Sequence, residues 1–313
     1  MRFFYNESMD PYFNQAYEEY IFNHYREGVN FLLWRNGPAV VCGAGQCVPA
    51  ETNLTLAARE KVAVVRRPTG GGAVYHDAGN VNYTFMASAT GKHIDYARFL
   101  QPVLAILHTL GIEARMDGIS ELMLGDYKIS GNAQKIAADR VWHHGTLLYD
   151  TDLDKLRQLA NGKRVFVDSR ATASRPAPVT NIRQWMAEPF ADTEAFMRAF
   201  LAELDRAYGP LTRVQLSPDD LAAIRDLTEQ KYRTWAWTIA RGPAFTFRRM
   251  FIWRGAPLTV TYRAKRGCIE TISFEPNHPE AALALRGVRV KRHDLARALE
   301  AFPDLDGLAP ELF

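Results

Sequence analysis

Apolar residues recur at helical spacing in some stretches and at every second position in others, and the two periods divide the chain into elements. Asp10-Pro11 opens the first helix, with Asp able to cap free amides and Pro tolerated at the first position. Phe13, Ala16, Tyr17, Tyr20 and Ile21 then give it one buried face, and Glu18 and Glu19 between them read as solvated. Strands follow over 31–35 and 39–42, split by an Asn36-Gly37 turn. A short helix over 54–60 leads to the apolar strand 62–65, and another strand covers 83–86. The helix over 96–110 buries Phe99, Leu100, Val103, Leu104 and Leu107 and ends at Gly111.

Alternation over 122–124, 128–136 and 141–149 predicts a meander, with Gly125-Asp126 and Ala138-Asp139 as turns. Residues 169–178 read as a mobile polar loop. A helix from Asp192 runs to Tyr208 and stops at Gly209-Pro210, and Ser217-Pro218-Asp219-Asp220 caps another that reaches 232–237. The remainder reads as strands over 244–253, 258–264 and 268–274 plus a helix over 293–302. Strands interleaved with helices but mostly joined by hairpins argue for an α+β protein of mixed and antiparallel sheets packed with helices, not a doubly wound parallel sheet. At 313 residues, one large and one small domain are expected, with the boundary placed at 1–232 and 233–313.

Composition narrows the classes. The 47% apolar and 23% charged shares are those of a soluble globular protein. No stretch of about 18 apolar residues exists, and the opening residues lack a basic leader followed by an apolar run, so a membrane protein is not expected. Cys42, Cys47 and Cys268 suit a reducing, cytoplasmic setting. Cys42 and Cys47 have no second pair near them, so no metal site is expected. A net charge of +3, dispersed along the chain, does not argue for nucleic acid.

The densest chemistry is Arg66-Arg67-Pro68-Thr69-Gly70-Gly71-Gly72-Ala73-Val74-Tyr75-His76. Consecutive glycines cost backbone entropy, which makes sense where a chain turns tightly and a ligand touches its amides. Such amides bind anions, and the arginine pair offers positive charge beside them. The spacings of the common nucleotide loops, G-x-x-x-x-G-K-[ST] and G-x-G-x-x-G, are absent. In a period-two strand Lys128, Ser130 and Asn132 share a face, giving one polar face after a turn. His143 and His144 fall on opposite faces of theirs, a poor metal arrangement, with one packed and one free to line a pocket.

Taken together, RRPTGGGAVYHDAGNVNYTF, KISGNAQ and HHGTLL, with DPYFNQAYEEYIF ahead and VTN near Asn181, resemble the lipoate–protein ligase family, related in fold to biotin protein ligases. The tail resembles the small α+β accessory domain of the longer ligases. The resemblance implies ATP with Mg2+, lipoate or octanoate as the acid, and acceptor lysines on lipoyl domains of 2-oxoacid dehydrogenase complexes or on glycine cleavage H-type proteins. It implies that Arg67, Gly72, Ala73, Val74 and Tyr75 hold the nucleotide, partly through backbone atoms, with Asn80 near the adenine. Gly70, Gly71, His76 and His144 would line the acyl pocket, and Lys128 would contact carboxylate and α-phosphate. Many relatives carry Asn-Asp before the Lys strand, where this chain has Ser120-Glu121.

Two rival readings remain at this level. An ATP-independent octanoyl or lipoyl transferase of the same fold would need a nucleophilic cysteine, and none lies in 110–150. Lys128 and the Arg66-Arg67 pair weigh against a non-enzymatic module that binds a lipoyl-adenylate or a carrier.

Overall fold

The computed structural model describes residues 1–91, 93–160 and 166–312. Strand β1 (Arg2–Tyr5) is followed by helix α1 (Pro11–His24), where Asp10 Oδ1 accepts from the Tyr12 amide and Pro11 takes the first turn. Next come β2 (Asn30–Trp34), β3 (Ala39–Cys42), α2 (Val48–Glu51), α3 (Leu54–Arg59), β4 (Ala63–Arg66), β5 (Val74–His76) and β6 (Asn80–Ser88). The Asn36-Gly37 turn closes no hairpin, and β2 and β3 enter different sheets. Tertiary contacts override the turn signal: Gly37 donates its amide to Met9 O at 2.7 Å, and Asn36 is buried between Asn14 and His76.

Helix α4 (Ala97–Thr109) stops before Gly111, whose φ of +75° suits glycine. The expected meander follows as β8 and β9 and β10, preceded by the short β7 (Arg115–Asp117); their ranges are Glu121–Leu124, Tyr127–Ala137 and Arg140–Leu148. Then come α5 (Leu153–Leu159), β11 (Phe166–Ser169), α6 (Thr193–Tyr208), β12 (Thr212–Val214) and α7 (Pro218–Leu227). Two π-helical turns, Thr228–Tyr232 and Ala236–Ala240, lead into β13 (Phe245–Trp253), β14 (Ala256–Lys265), β15 (Cys268–Glu275), α8 (Pro279–Leu285) and α9 (Arg292–Leu299).

The main sheet runs β12-β1-β2-β6-β10-β9-β8-β7, parallel at β12-β1-β2 and antiparallel from β2 onward. Helices α4 and α6 cover one face through Phe99, Val103, Phe196 and Phe200 against Phe31 and Phe85. On the other face α1 and α7 bring Tyr17, Ile21 and Ile224 onto Leu32, Met86 and Trp142. A three-stranded sheet, β4-β3-β5, carries the glycine loop between β4 and β5. The tail sheet, β11-β13-β14-β15, packs on α8 and α9, and recruits β11 from far upstream.

Candidate active site

Sheet register lays one row of side chains across the main sheet. Trp34 on β2 pairs with Asn82 on β6, Asn82 pairs with Thr146 on β10, and Thr146 Oγ1 accepts the Gly131 amide of β9 at 3.2 Å. Gly131 in turn faces Glu121 on β8. With strands about 4.8 Å apart, the trough from Trp34 to Gly131 is about 14 Å long. A cavity of about 340 Å³ lies along this row, roofed by α1, the glycine loop and residues 172–175.

Lys128 stands at the β8–β9 end of the trough. Leu122 pairs with Ser130 and Met123 with Lys128, so Ile129 is an extra residue, a bulge that resets the alternation. The single polar face predicted for Lys128, Ser130 and Asn132 is therefore broken. Lys128 and Gly131 are brought together instead, and a Cβ on Gly131 would sit 3.3 Å from Lys128 Cε. Ser130 is buried away from the cavity. Lys128 Nζ donates to Glu121 Oε1 at 2.7 Å, so the departure at Ser120-Glu121 supplies the resting partner of the key cation. Asn132 is held rigid, donating to Ser120 O and Ser130 Oγ while Tyr83 Oη donates to its Oδ1.

The arginine pair divides its work. Arg66 was expected to offer charge to an anion, but it is fully buried and donates to the carbonyls of Gly43, Ala44, Gln46 and Thr238. It clamps the 43–46 turn to the π-helical turn Ala236–Ala240 and does not border the cavity. Arg67 does border it, and donates to Val41 O, Gly70 O and Gly72 O. Burial lowers its pKa to about 10, still charged at neutral pH. Arg67 takes the carbonyls of Gly70 and Gly72, and the amides of Gly71 and Gly72 donate to no protein group among the described residues. Gly71 has φ +87°, a conformation few other residues adopt.

Residues 169–178 are tied down rather than loose. Ser174 Oγ accepts the Ala73 amide at 2.8 Å and bonds Gln46 Nε2, and Ser174 N donates to Glu51. Gly72 is needed beneath this strap, since a Cβ there would lie 3.0 Å from Ser174 Oγ.

The two adjacent histidines take the roles the sequence left open. His143 is buried in the core, stacked on Phe99 at 5.0 Å, and burial holds its pKa well below the usual value. His144 lines the cavity with both ring nitrogens engaged: Nδ1 meets Glu18 Oε1 at 3.1 Å, and Nε2 meets Thr69 Oγ1 at 2.7 Å. That leaves it no nitrogen free to act as a general base. Glu18 is not solvated but fully buried, taking hydrogen bonds from Gln15, Thr84 and Trp142 as well. Glu19 likewise pairs with Lys231 and Tyr232. Glu18→Gln puts an NH2 group among donors in either amide orientation. It should lower unfolding free energy by about 1–3 kcal/mol in a urea titration, where a solvated glutamate would change it by under about 0.5 kcal/mol.

Of the residues singled out from sequence, Arg67, Gly71, Gly72, Ala73, Val74, His76, Lys128 and His144 border one cavity. Gly70, Tyr75 and Asn80 do not. Gly70 faces open space, Tyr75 packs its ring among Val40, Val62 and Leu159, and Asn80 is buried beside Asn82. Sequence reasoning missed Gln15, Trp34, Asn82 and Ser174, and marked Glu121 only as a departure from the relatives. Gln15 and Glu18 lie seven and four residues before Phe22, on the buried stripe of α1, which was the available signal. Period two from Leu32 could have placed Trp34.

Comparison with known proteins bears on the family and the fold. The model of the lipoyl protein ligase A/B catalytic domain matches residues 10–205. Lipoate–protein ligase 1 of Staphylococcus aureus (strain Mu50) is 32% identical over 275 residues, covering 86% of this chain and 83% of its own. The Thermoplasma acidophilum protein Ta0514, solved with bound lipoic acid, superposes with a TM-score of 0.65 at 22% identity, over 76% of this chain and 98% of its own. Lipoate-protein ligase A bound with ATP gives 0.64 at 22% identity, over 76% and 97%. At those identities the solved structures speak to the fold alone.

Proposed function

Because the chain belongs to the lipoyl protein ligase A/B catalytic-domain family, we propose that it is an ATP-dependent lipoate–protein ligase. One observation carries this reading: Lys128 borders the same cavity as Gly71 and Gly72, whose amides have no protein acceptor among the described residues. An extended chain advances roughly 1.2 Å per bond, so an eight-carbon acid such as lipoate or octanoate spans roughly 9 Å of the 14 Å trough.

In the first step the carboxylate oxygen attacks the α-phosphorus of ATP, the bond to the β-phosphate oxygen breaks, and pyrophosphate leaves. Lys128, turned from Glu121, offsets repulsion between the two anions and stabilises charge growing on the phosphoryl oxygens. The amides of Gly71 and Gly72 with Ala73 and Val74 would cradle the phosphate, and Arg67 holds their loop in shape. His76 and His144 line the acyl end. In the second step a neutral acceptor lysine attacks the carbonyl and AMP departs. Such an amine is rare at pH 7, about 10³-fold less abundant than its protonated form, so positioning must supply much of the rate.

Magnesium enters as part of the nucleotide substrate. Among the described residues no group of three or more His, Cys, Asp or Glu could hold a metal, so its ligands would come mainly from phosphate and water. We assign residues 1–232 to catalysis and 233–313 to an accessory domain. Carrier domains of 2-oxoacid dehydrogenase complexes or glycine cleavage H-type proteins are the acceptors, in the cytoplasm; no helix among the described residues is long and apolar enough to cross a membrane.

The transferase alternative lacks a nucleophile. Burial raises the Cys42 thiol and pushes Cys47 up to about 12, neither borders the cavity, and Cys268 lies in the tail sheet. Incubation with lipoate, Mg-ATP and an apo carrier domain separates the readings. A ligase releases AMP and pyrophosphate and adds a lipoyl mass to the carrier. Acylation only from an acyl-carrier donor would establish the transferase, and adenylate retention without transfer a binding module.

A further inference from the structure

The end of the trough opposite Lys128 is not the hydrocarbon slot an alkyl tail would favour. Three buried polar atoms of residues bordering the cavity have no partner among the described residues: Gln15 Oε1, His76 Nε2 and Asn82 Nδ2. Gln15 is 1% exposed, Asn82 2% and His76 4%, so solvent does not satisfy them.

Their chemistry is fixed by their surroundings. Asn6 Nδ2 donates to Asn14 Oδ1, Asn14 Nδ2 donates to Asn36 Oδ1, and Asn36 Nδ2 points at His76 Nδ1 at 2.9 Å. Asn14 Nδ2 also meets the carbonyls of Ser8 and Arg35, which settles its orientation and through it that of Asn36. His76 Nδ1 must therefore accept, and the ring proton sits on Nε2, facing the cavity. Burial, with Arg67 and His144 nearby, lowers the His76 pKa to about 3, so the ring is neutral at working pH. Gln15 Nε2 is used by the Glu18 carboxylate and leaves Oε1 as an acceptor, while the Asn82 amide, paired with Asn80 through one of its atoms, presents the other to the cavity.

We propose that Asn36 is a positioning residue that holds His76 as the Nε2–H tautomer, and that the donor so presented selects acids carrying acceptor atoms at the far end of the chain over plain alkyl acids. The inference rests on the lipoate-ligase reading and deepens it. The ring sulfurs of lipoate are weak acceptors that can take the His76 donor, whereas octanoate covers that donor with methylene groups and leaves it unpaired. A site built to hydrogen-bond its substrate rejects the analogue that lacks the partner.

The test measures kcat/KM for pyrophosphate release with lipoate and with octanoate, in the wild type, Asn36→Leu, His76→Phe and the double variant, together with ring 15N spectra of His76 in the full chain. We expect the wild type to favour lipoate by about tenfold or more. Asn36→Leu should lower that ratio about tenfold, mainly through KM for lipoate, and should add nothing once His76 is phenylalanine. The spectra should place the ring proton on Nε2 in the wild type and show it redistributed in Asn36→Leu. Equal constants for the two acids, an unchanged ratio in Asn36→Leu, or a wild-type proton on Nδ1 would each overturn the proposal. Should Asn36→Leu fail to fold, the wild-type ratio, His76→Phe and the wild-type spectrum decide it. No pyrophosphate with either acid would instead remove the ligase reading, with the spectra still deciding whether Asn36 sets the tautomer.

Discussion

Lys128→Ala should lower the rate of lipoyl-adenylate formation by about 10²- to 10³-fold while leaving the fold intact. The ammonium stands at the β8–β9 end of the trough, where it can come between two approaching anions, and its resting partner Glu121 lies within 2.7 Å. Their pair is partly exposed, 21% for Lys128 and 34% for Glu121, so its loss should cost under about 1 kcal/mol of stability. Rate and stability therefore separate cleanly. Lys128→Arg should not restore full activity, because a planar fork cannot occupy the site of a compact point charge in the same way. Pyrophosphate release in single-turnover experiments with lipoate and Mg-ATP provides the measurement, and turnover within a few-fold of the wild type would contradict the assignment.

Gly43→Ala should be as damaging, by a different route. A Cβ there would lie 2.1 Å from Gly71 O and 3.1 Å from Gly71 C, both backbone atoms that no rotamer change can move. The 43–46 turn is itself anchored by Arg66, so the strain falls on the glycine loop. Displacing that loop by about 1 Å should cost about 10²-fold in adenylation. Gly70→Ala meets nothing within 4 Å and should be far milder. Comparable activity in the two variants would show that the loop tolerates movement and that its position is not what the turn protects.

Where local pattern and tertiary demand agree, the fold was legible. The Asp10-Pro11 start of α1, the stop at Gly111 and the β8–β10 meander each follow from caps, turns and alternation that nothing else in the molecule opposes. Distant contacts overruled it elsewhere. Asn36-Gly37 has the composition of a hairpin turn, yet Asn36 is bound to Asn14 and His76, and its strands separate. Glu18 reads as solvated because carboxylates mostly are, but the donors that satisfy it come from Thr84, Trp142 and His144, far along the chain. One bulged residue, Ile129, changed which side chains stand beside Lys128, and period-two reasoning has no means to foresee it. Ser174 belongs to a segment without periodicity, so its bond to the Ala73 amide left no trace in sequence. The family motifs located most of the cavity, while the network that shapes it emerged only in three dimensions.

A crystal structure with bound lipoyl-adenylate would show directly whether Lys128 is the activating cation. Lys128 Nζ should lie within hydrogen-bonding distance of both the acyl carbonyl oxygen and the phosphate, with the amides of Gly71 and Gly72 on the same phosphate. An adenylate bound elsewhere, or a Lys128 ammonium still turned to Glu121 and far from the mixed anhydride, would contradict it.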